Sequence, residues 1–225
     1  LTSRRLLSPA EAMNAITVGA AHADDSGNAY PQFGQRVDVL PSQTLFSPAT
    51  RLGFGFNRSI KPDILMPGGR QLYNAPMQDS STLYSVDNSI IAPGQKVALD
   101  SKKQGVLNSE AFWRGTSNAT ALATRGAVRL YDMLDRLRNE EGEDIPETLM
   151  SVLMKTLLVH GAKQDDVGKQ HIEQALKDAR NTHQFKQAIT RYLGYGIVDI
   201  ERVLTCTAQR ATRPRLWRDT RKRGA

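Results

Sequence analysis

Cysteine is nearly absent from this sequence, since Cys206 is the only one among 225 residues. A single thiol excludes a disulfide within the chain and favours a reducing, cytoplasmic location. Cys206 follows the apolar pair Val203 and Leu204. We therefore interpret it as a buried packing residue rather than as a nucleophile.

Long hydrophobic runs are missing as well. The longest, such as residues 153–159, are far shorter than the roughly 20 apolar residues that a membrane-spanning helix needs, so no membrane partner is predicted. Residues 1–21 do not have the organisation of a signal peptide, because Pro9, Glu11 and Asn14 interrupt the apolar stretch. The first residue is not Met, however, so the compartment stays open.

Metal-ligand clusters, internal repeats and low-complexity segments are also lacking. The four histidines, the cysteine and the carboxylates are not grouped at ligand spacing, so neither a metal site nor another cofactor is predicted. Hydrophobic residues make up 40% of the chain and charged residues 24%, which is typical of a globular protein. The length suits one domain, or one domain and part of another.

The net charge of +7 is concentrated at one end of the chain. Residues 210–225 contain seven basic residues and one acidic residue out of totals of 30 and 23, which leaves 23 against 22, or +1, for residues 1–209. This basic tail could bind phosphate backbones or an acidic surface. We favour a solvated end or the start of a further segment, so nucleic acid is not the expected partner.

One stretch, residues 114–134, organises the chemistry of the chain. Gly115 predicts a turn and Ser117 stands where a helix would begin. The helix is expected to be mostly buried and to reach about residue 137, and its first turns carry small residues: Ala119, Ala121, Ala123 and Gly126. A serine at this place would lie in the field of unpaired helix N–H groups, as a nucleophile with a built-in oxyanion donor. The alternative is that Thr116 or Ser117 only caps the helix.

The remaining pattern predicts an α/β chain in which strands precede the helices that cover them. Two short apolar runs, Ile16 to Val18 and Ile64 to Met66, are expected to be buried strands of one predominantly parallel sheet. Shorter strands are predicted at 71–75, 82–86 and 95–99, with a surface excursion and an edge strand within 22–60. Helices are predicted at 8–13, 146–160, 169–180 and 182–191, and a glycine turn, extended piece and helical turn at 192–204.

Four stretches in order resemble the second half of subtilisin-like serine peptidases, the subtilase family. Ala15-Ile-Thr-Val-Gly-Ala20 is similar to the family's Ala-Val-Gly-Ala strand. Phe46-Ser-Pro48 and Lys61-Pro-Asp-Ile-Leu-Met-Pro-Gly68 resemble its Phe-Ser and Lys-Pro-Asp run. Gly115-Thr-Ser-Asn-Ala-Thr120 resembles its Gly-Thr-Ser-Met-Ala nucleophile motif. The closing elements are similar to residues 153–162 and 194–199.

This resemblance implies a subtilisin-like fold, incomplete, with residues 1–204 as the C-terminal portion of the catalytic domain and 205–225 as a tail. It implies a serine endopeptidase acting on polypeptides, with Ser117 as nucleophile and its backbone N–H as an oxyanion donor. Many family members carry structural calcium, which cannot be placed here. The isolated chain is expected to be inactive.

The sequence departs from the family around and before the serine. Asn118 stands where the family has Met, and Ala121 and Leu122 replace Pro and His, which leaves the subfamily and the substrate preference open. No Gly-Asn oxyanion loop precedes the first strand, because Asn14 abuts it directly without a preceding glycine. In the family, the histidine and the aspartate that complete the Ser/His/Asp triad both precede the serine. These two residues and the oxyanion asparagine are therefore expected upstream, in the N-terminal part of the same domain.

Candidate triad partners inside the chain do not fit the family pattern. Asp25 follows the strand that is similar to the family's Ala-Val-Gly-Ala strand, and in the family that strand comes well after the triad aspartate, so Asp25 is interpreted as a turn residue. His160 comes after Ser117 and ends a helix, so it is interpreted as a helix-end residue. The other histidines, His22, His171 and His183, are interpreted as surface or capping residues. Two rival functions stay open: an inert pseudo-peptidase that binds a partner, and a nucleic-acid-associated protein that uses the basic tail.

Overall fold

The computed structural model describes residues 4–26, 36–40, 45–76, 83–139, 145–176 and 182–205. The strands are β1 Val18–Ala21, β2 Arg36–Val37, β3 Gly53–Phe54, β4 Ile60–Lys61, β5 Ile64–Pro67, β6 Tyr73–Asn74, β7 Ser85–Val86, β8 Gln95–Ala98, β9 Glu110–Trp113, β10 Ala162–Lys163 and β11 Ile197–Val198. The α-helices are α1 Thr116–Asn139, α2 Met150–His160, α3 Asp166–Ala175, α4 Thr182–Leu193 and α5 Ile200–Leu204. Two 3-10 turns lie at Phe56–Arg58 and Glu147–Leu149.

A four-stranded sheet of order β1-β5-β11-β10 forms the centre. β1 and β5 run parallel with Val18 opposite Ile64, and β11 is parallel to β5. Only β10 is antiparallel to its neighbour. The prediction that the two apolar runs share one predominantly parallel sheet is therefore confirmed, although the first strand begins at Val18 and not before.

Helices cover both faces of this sheet, because successive strand side chains point to opposite sides. Ala20, Ile64 and Met66 pack in the cluster that holds the buried residues of α1 and α2. Ala21 and Leu65 pack with Ile172 of α3 and with residues of α4 on the other side. The result is the α/β architecture that the sequence predicts.

Helix α1 buries one stripe only. Its buried residues recur at helical spacing, namely Ala119, Ala123, Gly126, Leu130 and Leu134. On the outer side Val128 is 54% exposed and Tyr131 is 37% exposed. The predicted length of the helix, to about residue 137, is thus confirmed. The prediction that it is mostly buried is wrong, because no described residue covers the face that carries Val128 and Tyr131.

Two predictions near the start of the chain are wrong, one of a helix and one of the start of a strand. Residues 8–13 form turns and bends instead of a helix, with a bond from Ala10 N–H to the Leu7 carbonyl. Strand β1 starts late because side chains bind the preceding backbone. Thr17 N–H donates to the Asp63 carboxylate at 2.7 Å, and the Lys61 ammonium binds the Ala15 carbonyl at 3.0 Å.

The smaller sheets agree with the predicted short strands. One antiparallel sheet consists of β2, β6 and β7, with β2 at its edge. Strand β8 pairs with β9, and β9 is a strand that the sequence pattern did not predict. The later helices and the glycine turn lie close to their predicted positions. Cys206 and the basic tail fall outside the described residues, as does part of the 22–60 excursion. Among the described helices none is long and apolar enough to cross a bilayer.

Candidate active site

The turn from β9 into α1 places Ser117 next to the ends of the two parallel strands. Gly115 in this turn has φ +145°, a conformation that favours glycine. Its N–H donates to the Gly68 carbonyl at 2.8 Å, and Gly68 N–H in turn donates to the Ala21 carbonyl at 3.1 Å. The serine turn is therefore hydrogen-bonded to the carboxyl ends of β5 and β1.

Two glycines after β5 allow this close approach. A Cβ on Gly68 would lie 2.4 Å from the Ala20 Cβ and 3.0 Å from the Gly115 carbonyl oxygen. Gly69, at φ +88°, would place a Cβ 2.9 Å from the Trp113 carbonyl oxygen. The backbone contact between the end of β5 and the serine turn thus requires both residues to lack a side chain.

Arg114 anchors the same turn from its other side. Its buried guanidinium donates to the Ser89 carbonyl at 2.6 Å and to the Ile91 carbonyl at 2.7 Å. It also lies 4.0 Å from the Asp87 carboxylate, which forms an ion pair with Arg36 at 2.5 Å. These bonds fix the residue three positions before Ser117 to the loop that follows β7.

Ser117 itself is exposed and is the second residue of α1. Its hydroxyl forms no hydrogen bond with any residue that the structure describes, and neither does the hydroxyl of Thr116. The capping alternative is therefore wrong: Gly115 precedes the helix and neither hydroxyl serves its first turn. The N–H groups of that turn have no acceptor within the helix, so they can face an incoming oxygen.

The family model of the subtilase family matches residues 2–196 of this chain. The chain belongs to the subtilase family. Comparison with curated proteins and with solved structures found no match. The matched range contains the parallel strands β1 and β5, the serine turn and helix α1.

The subtilase motif residue after the serine differs in chemistry from the family's Met. Asn118 is partly buried, and its enclosed Nδ2 atom has no hydrogen-bond partner among the residues that the structure describes. Leu122, in place of the family's His, is half-buried and packs against the core, while Ala121 is exposed. Neither Ala121 nor Leu122 takes part in the bond between the Gly115 N–H and the Gly68 carbonyl.

The interpretation of His22 as a surface or capping residue is wrong. The residue is fully buried instead of lying at the surface. Its Nδ1 accepts from the Gln71 N–H at 3.3 Å, so the proton lies on Nε2, which donates to the Asp38 carboxylate at 2.8 Å. Both ring nitrogens are engaged, and the ring cannot take a proton from Ser117 in this arrangement.

The other candidate partners do not reach the serine turn through any contact among the described residues. His160 is the exposed last residue of α2, as the helix-end interpretation expected, and His171 is half-buried on α3. His183 lies in α4, and its side chain is outside what the structure describes. Asp25 is exposed in a bend, in agreement with a turn residue.

Two aspartates that the sequence interpretation did not single out hold loops near the site. Burial alone would raise the pKa of Asp24, but hydrogen bonds from Ser26 and the Arg70 backbone outweigh it and the pKa lies below its usual value. Burial would likewise raise the pKa of Asp87, but hydrogen bonds from Ser89 and Arg36 bring this pKa below its usual value. An Asp followed two residues later by Ser is the turn signal that could have identified both.

Buried charged side chains occur in the described part of the chain, among them Lys61, Asp63 and Asp87. No three histidine, cysteine or carboxylate side chains are grouped there so as to hold an ion. The buried charges instead neutralise one another, as Lys61 and Asp63 do at 2.6 Å below β1. The Lys-Pro-Asp part of the subtilase resemblance thus has a structural use here, since it binds the backbone that leads into β1.

Proposed function

We propose that this chain supplies the nucleophile, Ser117, of a subtilisin-type serine endopeptidase that acts on polypeptides. The observation that carries the proposal is an exposed serine hydroxyl, free of hydrogen bonds with the described residues, at the start of α1 in a member of the subtilase family. The glycine and arginine contacts on either side of the turn support it, because a nucleophile must be held in a fixed position.

In the proposed reaction a histidine removes the Ser117 hydroxyl proton while Oγ bonds to the peptide carbonyl carbon. The carbonyl oxygen becomes an oxyanion, to which the Ser117 N–H donates. The histidine then gives the proton to the leaving amine, and water releases the acyl group by the same route. An aspartate keeps the histidine in the required tautomer.

We propose that the histidine, the aspartate and the side-chain oxyanion donor belong to a segment outside these 225 residues. The engaged nitrogens of His22 and the position of His160 at a helix end support this view. The exposed outer face of α1, with Val128 and Tyr131, supports a segment packed against that helix. The missing N-terminal part of the same domain would then be the chain's first partner.

Labelling with a fluorophosphonate probe tests the proposal. A longer protein that includes an upstream segment should be labelled and should cleave a casein substrate, whereas the isolated 225 residues should show neither activity. Ser117→Ala should abolish both in the longer protein. The matched control is Ser151→Ala, an exposed serine on α2, which should leave both unchanged.

Two results would contradict the proposal. Efficient labelling of the isolated chain at Ser117 would mean that a base lies within it. A longer protein that is folded yet unlabelled, and that behaves the same with Ser117→Ala, would favour the inert pseudo-peptidase that binds a partner.

A further inference from the structure

A cavity of about 440 Å³ lies away from the serine, at the start of the chain. Its walls come from the segment before β1, from β3 and from the end of α4. Helix α4 packs on the face of the central sheet opposite α1, so this cavity and the Ser117 turn are on different sides of the molecule. The proposed peptidase chemistry makes no use of it.

Two arginines line this cavity, and a third lies against the ring of one of its lining residues. Arg5 and Arg191 line the cavity, and Arg191 stacks over the Phe54 ring with its central carbon 5.0 Å from the ring centroid. Arg58 stacks over the same ring at 5.5 Å. Stacking leaves the N–H edges of a guanidinium free, and these edges match the two oxygens of a carboxylate or a phosphate.

These positive charges are not neutralised by the described part of the protein. No carboxylate there forms an ion pair with Arg5, Arg58 or Arg191, and none of the three has a further electrostatic partner. Glu11 lines the cavity without reaching ion-pair distance of them. Arg58 and Arg191 over one ring, and Arg5 in the wall of the same cavity, are like charges that repel one another, and a bound anion would relieve this repulsion.

Part of the remaining wall is apolar. Leu6, Leu52 and Phe54 contribute to the lining, and Leu52 is buried. A bare inorganic ion would leave this surface uncovered. A ligand that joins an anionic group to a small apolar group would contact both parts of the cavity.

We propose that this cavity is a binding site for a small organic oxyanion, a ligand with a phosphate or carboxylate group held by Arg5 and Arg191 and an apolar group against Leu6 and Leu52. The site is independent of the peptidase function, because no residue of the serine turn lines it. Glu11 at its edge disfavours the anion and sets a limit on the affinity.

Isothermal titration of the 225-residue chain with phenyl phosphate and with benzoate tests the proposal, with uncharged benzamide as a third ligand. We expect saturable binding of an anionic probe, and the tighter of the two identifies the group as phosphate or carboxylate. Arg191→Gln and Arg5→Gln should each weaken binding at least about tenfold, because each removes a charge-assisted hydrogen bond. Arg129→Gln, an exposed arginine paired with Glu201 on α5, is the control and should not change it.

Glu11→Gln keeps the proposal testable even if a change at Arg191 loosens the packing on Phe54. This variant removes the competing carboxylate and should tighten binding of the anionic probe several-fold. The site is disproved if neither anion binds saturably, if benzamide binds as well as the anions, or if the two arginine variants keep the original affinity.

Discussion

Arg114 is the residue that connects the serine turn to the rest of the molecule by side-chain bonds. Burial lowers the pKa of its guanidinium and the charge of Asp87 acts in the opposite direction. The two carbonyls it serves, those of Ser89 and Ile91, lie 25 and 23 residues away in sequence. A turn held in this way cannot shift without breaking buried hydrogen bonds.

Arg114→Ala should therefore lower the free energy of unfolding by about 2–4 kcal/mol, because it leaves two carbonyls and part of the Asp87 charge without a partner. Arg114→Lys should recover only part of the loss, since an ammonium cannot reproduce the planar fork. Urea unfolding followed by circular dichroism measures both. Arg129→Ala, at an exposed ion pair, is the control and should change little. Equal stability of Arg114→Ala and the unmodified chain would contradict the role of Arg114.

At the scale of the elements, helix α1 is held to the sheet by one stripe of its surface. Leu134 at the end of that stripe is fully buried, whereas Leu107 in the loop before β9 is 98% exposed. Leu134→Ala should cost about 2–5 kcal/mol of unfolding free energy through lost burial and the cavity left behind. Leu107→Ala makes the same chemical change and should cost almost nothing. Chemical denaturation of the two variants side by side decides the matter.

The approach of β5 to the serine turn gives a second prediction at this scale. Gly68→Ala should destabilise the chain by about 1–3 kcal/mol, because the new methyl group meets the Ala20 Cβ and the Gly115 carbonyl. Gly168→Ala in α3 is the control, since a Cβ there meets its nearest neighbour at an ordinary 3.5 Å. It should leave the melting temperature unchanged or raise it. A Gly68→Ala chain with the same melting temperature as the unmodified chain would show that the turn is not closely packed.

At the scale of the whole molecule, the buried aspartates make the free energy of unfolding depend on pH. The pKa of Asp87 is lower in the folded chain than in the unfolded chain, where it is about 3.9. Its stabilising contribution is complete above that unfolded value and is lost as the pH falls through the folded one. Asp24 follows the same rule.

Asp87→Asn should thus be less stable than the unmodified chain at neutral pH, and the difference should narrow as the pH is lowered below about 4. Urea unfolding at several pH values between 7 and 3 gives the two free-energy curves. Curves that stay parallel over this range would mean that the Asp87 carboxylate contributes no pH-dependent stability.

Local pattern in the sequence was enough to predict several features of the fold and of the site. Short apolar runs predicted the central strands, helical spacing predicted α1 and its length, and Gly115 before Ser117 predicted the turn at the helix start. The subtilase motifs, in order along the chain, were enough for the family, which the match over residues 2–196 shows. These signals lie within a few residues of one another, so they can be interpreted without knowing what packs where.

Features that depend on partners far away in the sequence could not be predicted in this way. Strand β1 begins at Val18 because Asp63, 46 residues further on, binds the Thr17 N–H. His22 is buried because Gln71 and Asp38 satisfy both of its ring nitrogens, whereas the polar residues beside it in sequence suggested the surface. Arg114 has its role only because the chain returns to place the Ser89 carbonyl beside it. Hydrogen bonds of this kind are set by the folded backbone and leave no periodic trace in the sequence.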